Sequence, residues 1–339
     1  MGMQGQNLLK IEDLYVQYET DNSLVYAVNG LNLEVNMGET VGLVGETGAG
    51  KTSTALSIMK LLPDKIGKIS RGKISLNGVD ITAATETQMQ AFRGETVSMI
   101  FQDPMTSLNP VIKVGKQIEE VLLVHRPNMS KQEREKRVDE MLEMIGISPE
   151  RKNEYPHQFS GGMKQRIVIA IALACEPMLL LADEPTTALD VTIQAQVLQM
   201  MNELKERFNT AIMLITHDLG VIAQTCDRVA VVYAGTIVEI GTTYEIFESD
   251  EHHPYTKGLF GSIPHLNINE KRLHPIEGLM PDPTIVVKGC GFAERCPMAK
   301  EICFNQKPDE HEKNGHLISC HFCKYPLKKK TVEVNENVS

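Results

Sequence analysis

The residues best placed to do chemistry form a glycine-rich loop, GETGAGKT, which runs from Gly45 to Thr52. The loop follows the apolar run VGLVG and precedes STALSIMKLL, which has helical character. This order of strand, loop and helix is the context that the phosphate-binding pattern G-x-x-x-x-G-K-[ST] requires. Glycines let backbone N–H groups turn towards a phosphate, and the following helix offers its positive N-terminal end. The loop therefore predicts nucleotide binding.

Two side chains of this loop have predicted roles of their own. Lys51 is expected to reach the β- and γ-phosphates of ATP, and Thr52 is expected to ligate Mg²⁺. A chance glycine turn before a helix is the alternative, and the complete strand, loop and helix argue against it. The residues expected to contact the nucleotide here are Gly45, Glu46, Thr47, Gly48, Ala49, Gly50, Lys51, Thr52 and Ser53.

Two adjacent acids end a second apolar run. MLLLADEP brings Asp183 and Glu184 to the end of a predicted buried strand, beside the phosphate loop. The first acid can hold the Mg²⁺ shell, and the second can act as general base on water, a role worth about 10²- to 10⁴-fold in rate. The alternative is a pair of ordinary surface charges.

Polar residues also end two other predicted strands. Gln102 follows VSMIF, and His217 follows LIT. Because the carboxyl ends of parallel strands meet at one edge of a sheet, we expect both side chains near the γ-phosphate. His217 would sense that phosphate, although a lone histidine is more often structural. Gln102 would order the attacking water or the Mg²⁺ ion.

A second glycine-containing segment, FSGGMKQR, stands more than a hundred residues after the first loop. Ser160, Gly161 and Gly162 precede a helix-forming run, so they again offer N–H groups and a helix N-terminus to an anion. A long helical stretch separates the two segments, and we do not expect the second to fold back onto the same nucleotide. We expect a head-to-tail dimer in which each subunit presents this segment to the ATP held by the other.

Antiparallel strands are predicted at the start of the chain. The β-rich runs LLKIEDLYVQY, SLVYAVNGLNLEV and GKISLNGVDIT have the composition of strands. Asn29-Gly30 and Asn77-Gly78, inside the second and third runs, are expected to mark turns, because Asn-Gly is a strong turn signal.

The alternation of apolar runs and helical stretches after the first strands predicts an α/β core with a helical insertion. Between about residues 84 and 165 the chain has helical character, and Ser130 and Glu133 form a capping-box signature. RVAVVYAGTIVEIG returns to strand character at 228–241. Compact apolar runs predict buried parallel strands at 41–45, 97–101, 178–183 and 211–216.

Seven cysteines divide into two groups. Cys175 and Cys226 stand alone and are expected to be small buried apolar residues. The other five lie in GCGFAERCPMAKEIC and SCHFC, from Cys290 to Cys323, and stable disulfides are not expected inside a cell. Zinc sites usually bring ligands in pairs about two to four residues apart, as only Cys320 and Cys323 do, whereas an iron–sulfur cluster fits wider spacing better. Simple reduced thiols are the third possibility.

Bulk composition excludes several classes of protein. A net charge of -10 and a pI near 5.5 argue against non-specific binding to nucleic acid. The longest apolar run, IVIAIALAC at 167–175, is well short of the roughly 18 residues that a membrane-spanning helix needs. The N-terminal MGMQGQNLLK lacks the features of a secretory signal, and Gln6 replaces the Ser or Thr of a myristoylation motif. We therefore expect a protein inside the cell with no nucleic-acid partner.

Over about residues 8–245 the chain resembles the ATP-binding-cassette (ABC) ATPases. The phosphate loop, Gln102, the SGG segment, LLLADEP, TTALD and His217 all appear in the order of that family. The resemblance implies that Tyr18 stacks on adenine and that Asp190, which ends TTALD, couples the two sites across the dimer. A strand-packing aromatic is the alternative for Tyr18.

Two segments, FQDPMTSLNP at 101–110 and HPYTKGLFGSIP at 253–264, resemble the ATPase subunits of oligopeptide and dipeptide importers. That resemblance implies an ATP- and Mg²⁺-dependent motor on the cytoplasmic face of the cell membrane. Its partners would be two transmembrane permease subunits, a second ATPase subunit and, indirectly, an extracellular peptide-binding protein. C-terminal regions of this subgroup are associated with a 4Fe–4S cluster, whose ligands by motif matching would be Cys290, Cys296, Cys303 and Cys320; Cys323 is surplus.

The expected fold is an α/β P-loop NTPase core of the ABC ATPase type, with an antiparallel β subdomain and a helical subdomain. We expect it to occupy residues 1–245 and to be followed by a small cysteine-rich C-terminal domain at 246–339. The leading hypothesis is ATP-driven import of dipeptides or oligopeptides. Alternatives are the same motor with nickel, sugar or antibiotic-peptide cargo, or a soluble ABC ATPase of translation or repair. The Asn-Lys-x-Asp segment of a GTPase is absent from the sequence.

Overall fold

The structure is a computed structural model, and it describes residues 7–21, 23–102, 104–187, 189–262 and 276–328. The expectations about a leader at the N-terminus, and the last two residues of HPYTKGLFGSIP, lie outside these ranges. Within them, the chain forms two β-sheets and a set of helices. No helix of the described residues is both long and apolar enough to cross a membrane.

The smaller sheet is antiparallel, as predicted, and its strand order is β2-β1-β4-β5. Asn77-Gly78 forms the turn from β4 to β5, and both residues have positive φ, 49° and 78°, as a tight hairpin turn requires. The prediction of a turn at Asn29-Gly30 is wrong. These residues lie inside β2, where Gly30 (φ 92°) occupies an irregularity in the register with β1, because a glycine also suits a β-bulge. The strands are β1 (Asn7–Glu19), β2 (Leu24–Asn36), β4 (Gly67–Leu76) and β5 (Val79–Asp80).

The larger sheet has the order β11-β12-β10-β9-β3-β8-β7-β6. From β9 to β6 the neighbouring strands are parallel, and from β9 to β11 they are antiparallel. The four apolar runs predicted as buried parallel strands are confirmed, with bounds shifted by one residue or so. The strands are β3 (Thr40–Val44), β6 (Val97–Ile100), β7 (Leu179–Asp183), β8 (Ala211–Ile215), β9 (Arg228–Tyr233), β10 (Thr236–Thr242), β11 (Glu310–Lys313) and β12 (His316–Ser319).

The core lies on both faces of the larger sheet. In β7, Leu180 and Ala182 belong to one buried cluster and Leu179 and Leu181 to the other, because side chains alternate between the faces of a strand. One cluster contains the helical region, and the other joins the sheet to the antiparallel strands and the first helix. A central strand covered on both faces must be apolar throughout, which explains the unbroken LLLA run.

Helices connect the strands and form the insertion predicted between residues 84 and 165. The predicted capping box is present, because Ser130 accepts from Glu133 N and the Glu133 side chain accepts from Ser130 N. The helices are α1 (Lys51–Met59), α2 (Glu86–Phe92), α3 (Pro104–Ser107), α4 (Val114–His125), α5 (Lys131–Met144), α6 (Gly161–Leu173), α7 (Val191–Phe208), α8 (Leu219–Thr225), α9 (Thr243–Glu248), α10 (Pro254–Gly261) and α11 (Glu301–Asn305).

The C-terminal segment is attached to the sheet. β12 pairs with β10, so the β11–β12 hairpin extends the larger sheet at its antiparallel end. Tyr26 N in β2 donates to Pro283 O at 2.8 Å, and Phe292 is buried in the helix-side core. Cys175 and Cys226 are buried, as predicted, and all seven cysteines are free thiols.

Candidate functional site

The phosphate loop joins the end of β3 to the start of α1, as its sequence predicts. Gly50 has φ 98°, and a Cβ there would lie 2.4 Å from Ala27 O, so only glycine fits this position. Gly48 also has positive φ, and a Cβ on it would meet open space. Lys51 begins α1, which leaves the helix N-terminus facing the loop. This arrangement suits an anion.

Lys51 spans its own loop. Its side chain is buried, and Nζ donates to Gly45 O at 2.7 Å and to Glu46 O at 3.0 Å. Burial lowers the pKa of Lys51, and the nearby carboxylates Glu184 and Asp183 offset part of that shift. An ammonium group that has lost much of its water would gain from an anionic phosphate in this position.

Thr52 and Asp183 meet at the end of β7. The Thr52 hydroxyl donates to Asp183 Oδ2 at 2.8 Å, and the Asp183 side chain is nearly inaccessible to solvent. Burial raises the pKa of Asp183, while the hydrogen bond from Thr52 lowers it. A hydroxyl and a carboxylate, both oxygen donors, are the ligand types that Mg²⁺ prefers, so the pair fits that ion.

Glu184 is the centre of a hydrogen-bonded group. Its carboxylate accepts from Gln102 Nε2 at 3.3 Å and from Thr187 Oγ1 at 2.9 Å, and it pairs with His217 Nδ1 at 3.1 Å. Burial raises the pKa of Glu184, but the hydrogen bonds from His217, Thr187 and Gln102 outweigh it and hold the pKa below its usual value. The carboxylate is therefore ionised near neutral pH. Its backbone has φ 48°, unusual for a residue with a side chain.

The structure thus brings together Gln102, Glu184 and His217, which the sequence predicted to meet near the γ-phosphate. Thr187 was missed by the sequence analysis. The sequence did offer a signal, because Thr187 stands three residues after Glu184, the spacing of a turn. In that turn Thr187 N donates to Glu184 O, and the Thr187 hydroxyl reaches the Glu184 carboxylate.

Tyr18 lies beside the start of α1. Its hydroxyl donates to Ser53 Oγ at 2.9 Å, and a Cβ on Gly67 would lie 3.1 Å from its ring. The ring is only half-buried, so part of it faces solvent near the loop. The role of Tyr18 in stacking on adenine stays a prediction.

The second glycine segment and Asp190 meet through Ile193. Ser160 caps α6 by accepting from Met163 N at 3.4 Å, and Asp190 caps α7 by accepting from Ile193 N at 2.9 Å. A Cβ on Gly162 would lie 2.5 Å from Ile193 Cγ2, so this glycine permits close packing of the two helix starts. Ser160 and Gly161 are exposed. Their contact with a second subunit stays a prediction.

Glu46 has a partner that the sequence did not indicate. Arg295 Nη1 and Nη2 lie 2.7 and 3.1 Å from its two carboxylate oxygens, and the Arg295 side chain is only 6% exposed. Glu46 N donates to the hydroxyl of Tyr255 at 2.9 Å. The phosphate loop is therefore held by two residues from the C-terminal part of the chain, 209 and 249 positions away.

We call the four cysteines that motif matching selected, Cys290, Cys296, Cys303 and Cys320, the cysteine quartet; within it, Cys290 N donates to Cys303 O at 2.7 Å. Burial, and then the charges of the other three, raise the pKa of Cys290 to about 11. Burial likewise raises the pKa of Cys320, and the charges of Cys296, Cys323 and Cys303 add to that shift. Cys323 lies beside Cys320, since Cys323 N donates to Cys320 O at 3.2 Å. Burial raises the pKa of the Cys323 thiol, and the charges of Glu251 and Glu239 add to that shift.

Comparisons with known proteins agree with this geometry. A family model described as "ABC transporter" matches residues 28–187, and one described as "Oligopeptide/dipeptide transporter, C-terminal region" matches residues 238–303. The chain is 48% identical to the dipeptide transport ATP-binding protein DppD of Bacillus subtilis, over 93% of this chain and 94% of that protein. It is 52% identical to the oligopeptide transport ATP-binding protein OppD of the same organism, over 89% and 84%. Among solved structures, the post-hydrolysis dimer of the ATP-binding cassette MJ0796 bound to ADP and Pi is similar, with a TM-score of 0.63 at 27% identity, over 70% of this chain and 99% of that one.

Proposed function

The chain belongs to the ATP-binding proteins of ABC transporters for oligopeptides and dipeptides, and we propose that it hydrolyses ATP to drive peptide import. The observation that carries this proposal is the hydrogen-bonded Glu184, held by Gln102 and His217 beside the Thr52–Asp183 pair. The chain works with two permease subunits, a partner ATPase and a peptide-binding protein outside the cell, as a peripheral protein on the cytoplasmic face of the membrane.

In the proposed reaction, the loop binds the phosphates of ATP. Lys51 exchanges its carbonyl partners for the β- and γ-phosphate oxygens. Thr52 and Asp183 would hold Mg²⁺, which supplies positive charge to the phosphates. Glu184 accepts the proton of the attacking water while the water oxygen bonds to the γ-phosphorus. The bond from the γ-phosphorus to the bridging oxygen breaks, and ADP leaves with that electron pair.

The residues around Glu184 orient it. Gln102 and Thr187 donate to its carboxylate, and His217 fixes the other oxygen while its exposed ring remains free to face the γ-phosphate. A base whose lone pairs are already oriented needs little reorganisation when the proton moves. Tyr18 would stack on adenine in this proposal.

The complete site would contain two subunits. Ser160 and Gly161 are exposed and Gly162 is partly buried at the start of α6, where a helix N-terminus favours negative charge. The three residues would contact the γ-phosphate held by the partner. Asp190 is linked to this segment through Ile193, which supports its role in coupling the two sites. The dimeric form of MJ0796 bound to ADP and Pi supports the same arrangement.

We also propose that residues 1–245 form the nucleotide-binding domain and 246–339 a C-terminal domain in which the cysteine quartet holds a 4Fe–4S cluster. Supporting this proposal are the contact between Cys290 N and Cys303 O at 2.7 Å and the raised pKa of Cys290, to which burial contributes most and the charges of the other three thiols contribute further. Cys323, beside Cys320, is the alternative fourth ligand. Zinc is the alternative. Iron and acid-labile sulfide in anaerobically purified protein, with visible absorption, would support the cluster, whereas a colourless protein containing zinc in the quartet would exclude it.

Reconstitution tests the proposed transport function. The chain is co-expressed with its permease subunits and partner ATPase, placed in lipid vesicles and supplied with the binding protein. We expect peptide-loaded binding protein to stimulate ATP turnover, and nickel to leave it unchanged. Turnover that responds to nickel and not to peptide would assign another cargo. A chain that does not co-purify with permease subunits would instead support a soluble ABC ATPase.

A further inference from the structure

A buried carboxylate outside the nucleotide site has two histidine partners. Glu239 in β10 is completely inaccessible to solvent, and its Oε1 lies 2.7 Å from His252 Nδ1 and 2.8 Å from His316 Nε2. We call these three residues the Glu239 cluster. They come from β10, the segment between α9 and α10, and β12, so the cluster joins three separate parts of the C-terminal fold. Their ligand atoms all lie within 4.8 Å of one another.

The charge of this cluster needs balancing. Glu239 also accepts from His253 N at 2.7 Å, and a buried carboxylate with several N–H donors is stable as the anion. Its ion pairs within the described residues are both with histidines, which are neutral unless protonated. An isolated buried charge is costly. Either a proton shared with the imidazoles or a bound cation must neutralise it.

Three further groups lie around the cluster. The hydroxyl of Thr256 is buried, acts on Glu239, and forms no hydrogen bond of standard geometry within the described residues. Tyr325 Oη lies 3.3 Å from His316 Nδ1, so the second nitrogen of that ring is also held, as is usual for a metal-ligating histidine. Cys323, the thiol left over from the quartet, accepts from the backbone N of the same Tyr325 at 3.5 Å.

We propose that Glu239, His252 and His316 bind a zinc ion. Two imidazole nitrogens and one carboxylate oxygen are a common zinc ligand set, whereas Mg²⁺ and Ca²⁺ prefer oxygen donors alone. Zinc ligands lie about 2.0–2.2 Å from the metal and therefore about 3.3 Å from one another in a tetrahedron. The observed separations of 2.7 and 2.8 Å need widen by only about half an ångström to admit the ion. The ion would tie β12 and the segment before α10 to the sheet.

Zinc titration of the full chain tests the site. Protein stripped with a chelator and kept reduced is titrated with Zn²⁺ in competition with a coloured zinc indicator. We compare wild type, His252→Gln, which can still donate to Glu239, and Cys296→Ser, which disables the quartet. His125→Gln is the matched control, because it removes a half-buried histidine far from the cluster in sequence.

In the Cys296→Ser background, where the quartet is disabled, we expect one tight zinc site that persists when His125→Gln is added and weakens at least about tenfold when His252→Gln is added. Equal zinc affinity with and without His252→Gln in this background would overturn the proposal, and so would the absence of a tight site from Cys296→Ser. X-ray absorption at the zinc edge of wild-type protein gives an answer that does not depend on the folding of variants. Imidazole in the zinc shell supports the site, and a shell of sulfur alone contradicts it.

Discussion

Glu184 and the Glu239 cluster are both glutamate–histidine arrangements, but their surroundings differ. The side chain of Glu184 is 16% exposed, and the side chain of its partner His217 is 69% exposed. Glu239 has no exposed surface, and the side chains of His252 and His316 are 8% and 2% exposed. The glutamate–histidine contact is also longer at Glu184, 3.1 Å against 2.7 and 2.8 Å.

This difference in exposure fits a catalytic role for Glu184 and a structural role for Glu239. A general base must reach water and exchange its proton. It therefore needs partial exposure, and its hydrogen bonds to neighbouring donors must be able to break. Glu184 also has a left-handed backbone, a strain that a purely structural position has little reason to retain. Glu239 has every feature of a permanent link, since it connects strands and loops that are 13 and 77 positions apart. Loss of the carboxylate should therefore lower ATP turnover and leave stability unchanged at Glu184, whereas at Glu239 it should lower the free energy of unfolding.

The largest expected effect is on turnover at Glu184. Glu184→Gln keeps the shape of the side chain and removes the base, so we expect ATP hydrolysis to fall by about 10²- to 10⁴-fold while ATP still binds. An ATP-bound dimer should accumulate, measured by gel filtration with ATP and Mg²⁺. Glu203→Gln, on the exposed face of α7, is the control. Unchanged turnover in Glu184→Gln would remove this residue from the role of base.

The reciprocal effect is on stability at Glu239. Glu239→Ala leaves two buried histidines without their carboxylate, and removal of one partner from a buried pair costs about 3–5 kcal/mol. We expect the free energy of unfolding, measured with urea, to fall by that amount. Glu184→Gln should change it by less than about 0.5 kcal/mol. Equal losses of stability in the two variants would abolish the distinction between the sites.

The sequence predicted the first site far better than the second. Asp183 and Glu184 follow an unbroken apolar run, and parallel strands bring all such ends to one edge, so local pattern was enough to place them with His217. Glu239 sits in a strand-like stretch, TIVEIGT, and its partners are fixed by the packing of β12 and the segment before α10. No local pattern reports contacts that depend on how distant segments dock.

The two Asn-Gly pairs also show that local pattern cannot report tertiary contacts. Asn29-Gly30 has the composition of a turn, yet pairing with β1 on one side and contact with Gly235 O on the other keep it within β2. Gly30 then serves as a bulge. Tertiary pairing overrode the local signal there, whereas Asn77-Gly78 formed the turn between β4 and β5.

His217 gives an intermediate effect that sharpens the comparison. His217→Ala removes a group that fixes Glu184 without removing the base, so we expect turnover to fall by about 10²-fold, as for the loss of one oriented donor. Because His217 is exposed, stability should change by less than about 0.5 kcal/mol. His125→Ala is the control for both measurements. A loss of stability without loss of turnover would give His217 a structural role, like that of His252 and His316.

The smallest expected effect comes from the Arg295–Glu46 pair, which joins the C-terminal segment to the phosphate loop. Because both oxygens of Glu46 are held by one guanidinium, Arg295→Gln should loosen the loop and weaken ATP binding by about tenfold, or 1.4 kcal/mol, with a smaller change in kcat. Glu46→Gln should have a similar effect, and the double variant should be no worse than either single one.

A second ion pair provides the matched control for that cycle. Arg228 and Glu39 lie 3.1 Å apart and are also partly buried, but neither belongs to the loop. The corresponding Gln variants should lower stability and leave the KM for ATP unchanged. If both cycles alter KM equally, the effect of Arg295 is general destabilisation. If only the Arg295–Glu46 cycle alters KM, the C-terminal segment sets the shape of the nucleotide loop. Glu46 would then be a third kind of paired glutamate, which neither acts as a base nor stabilises the fold but shapes the binding site.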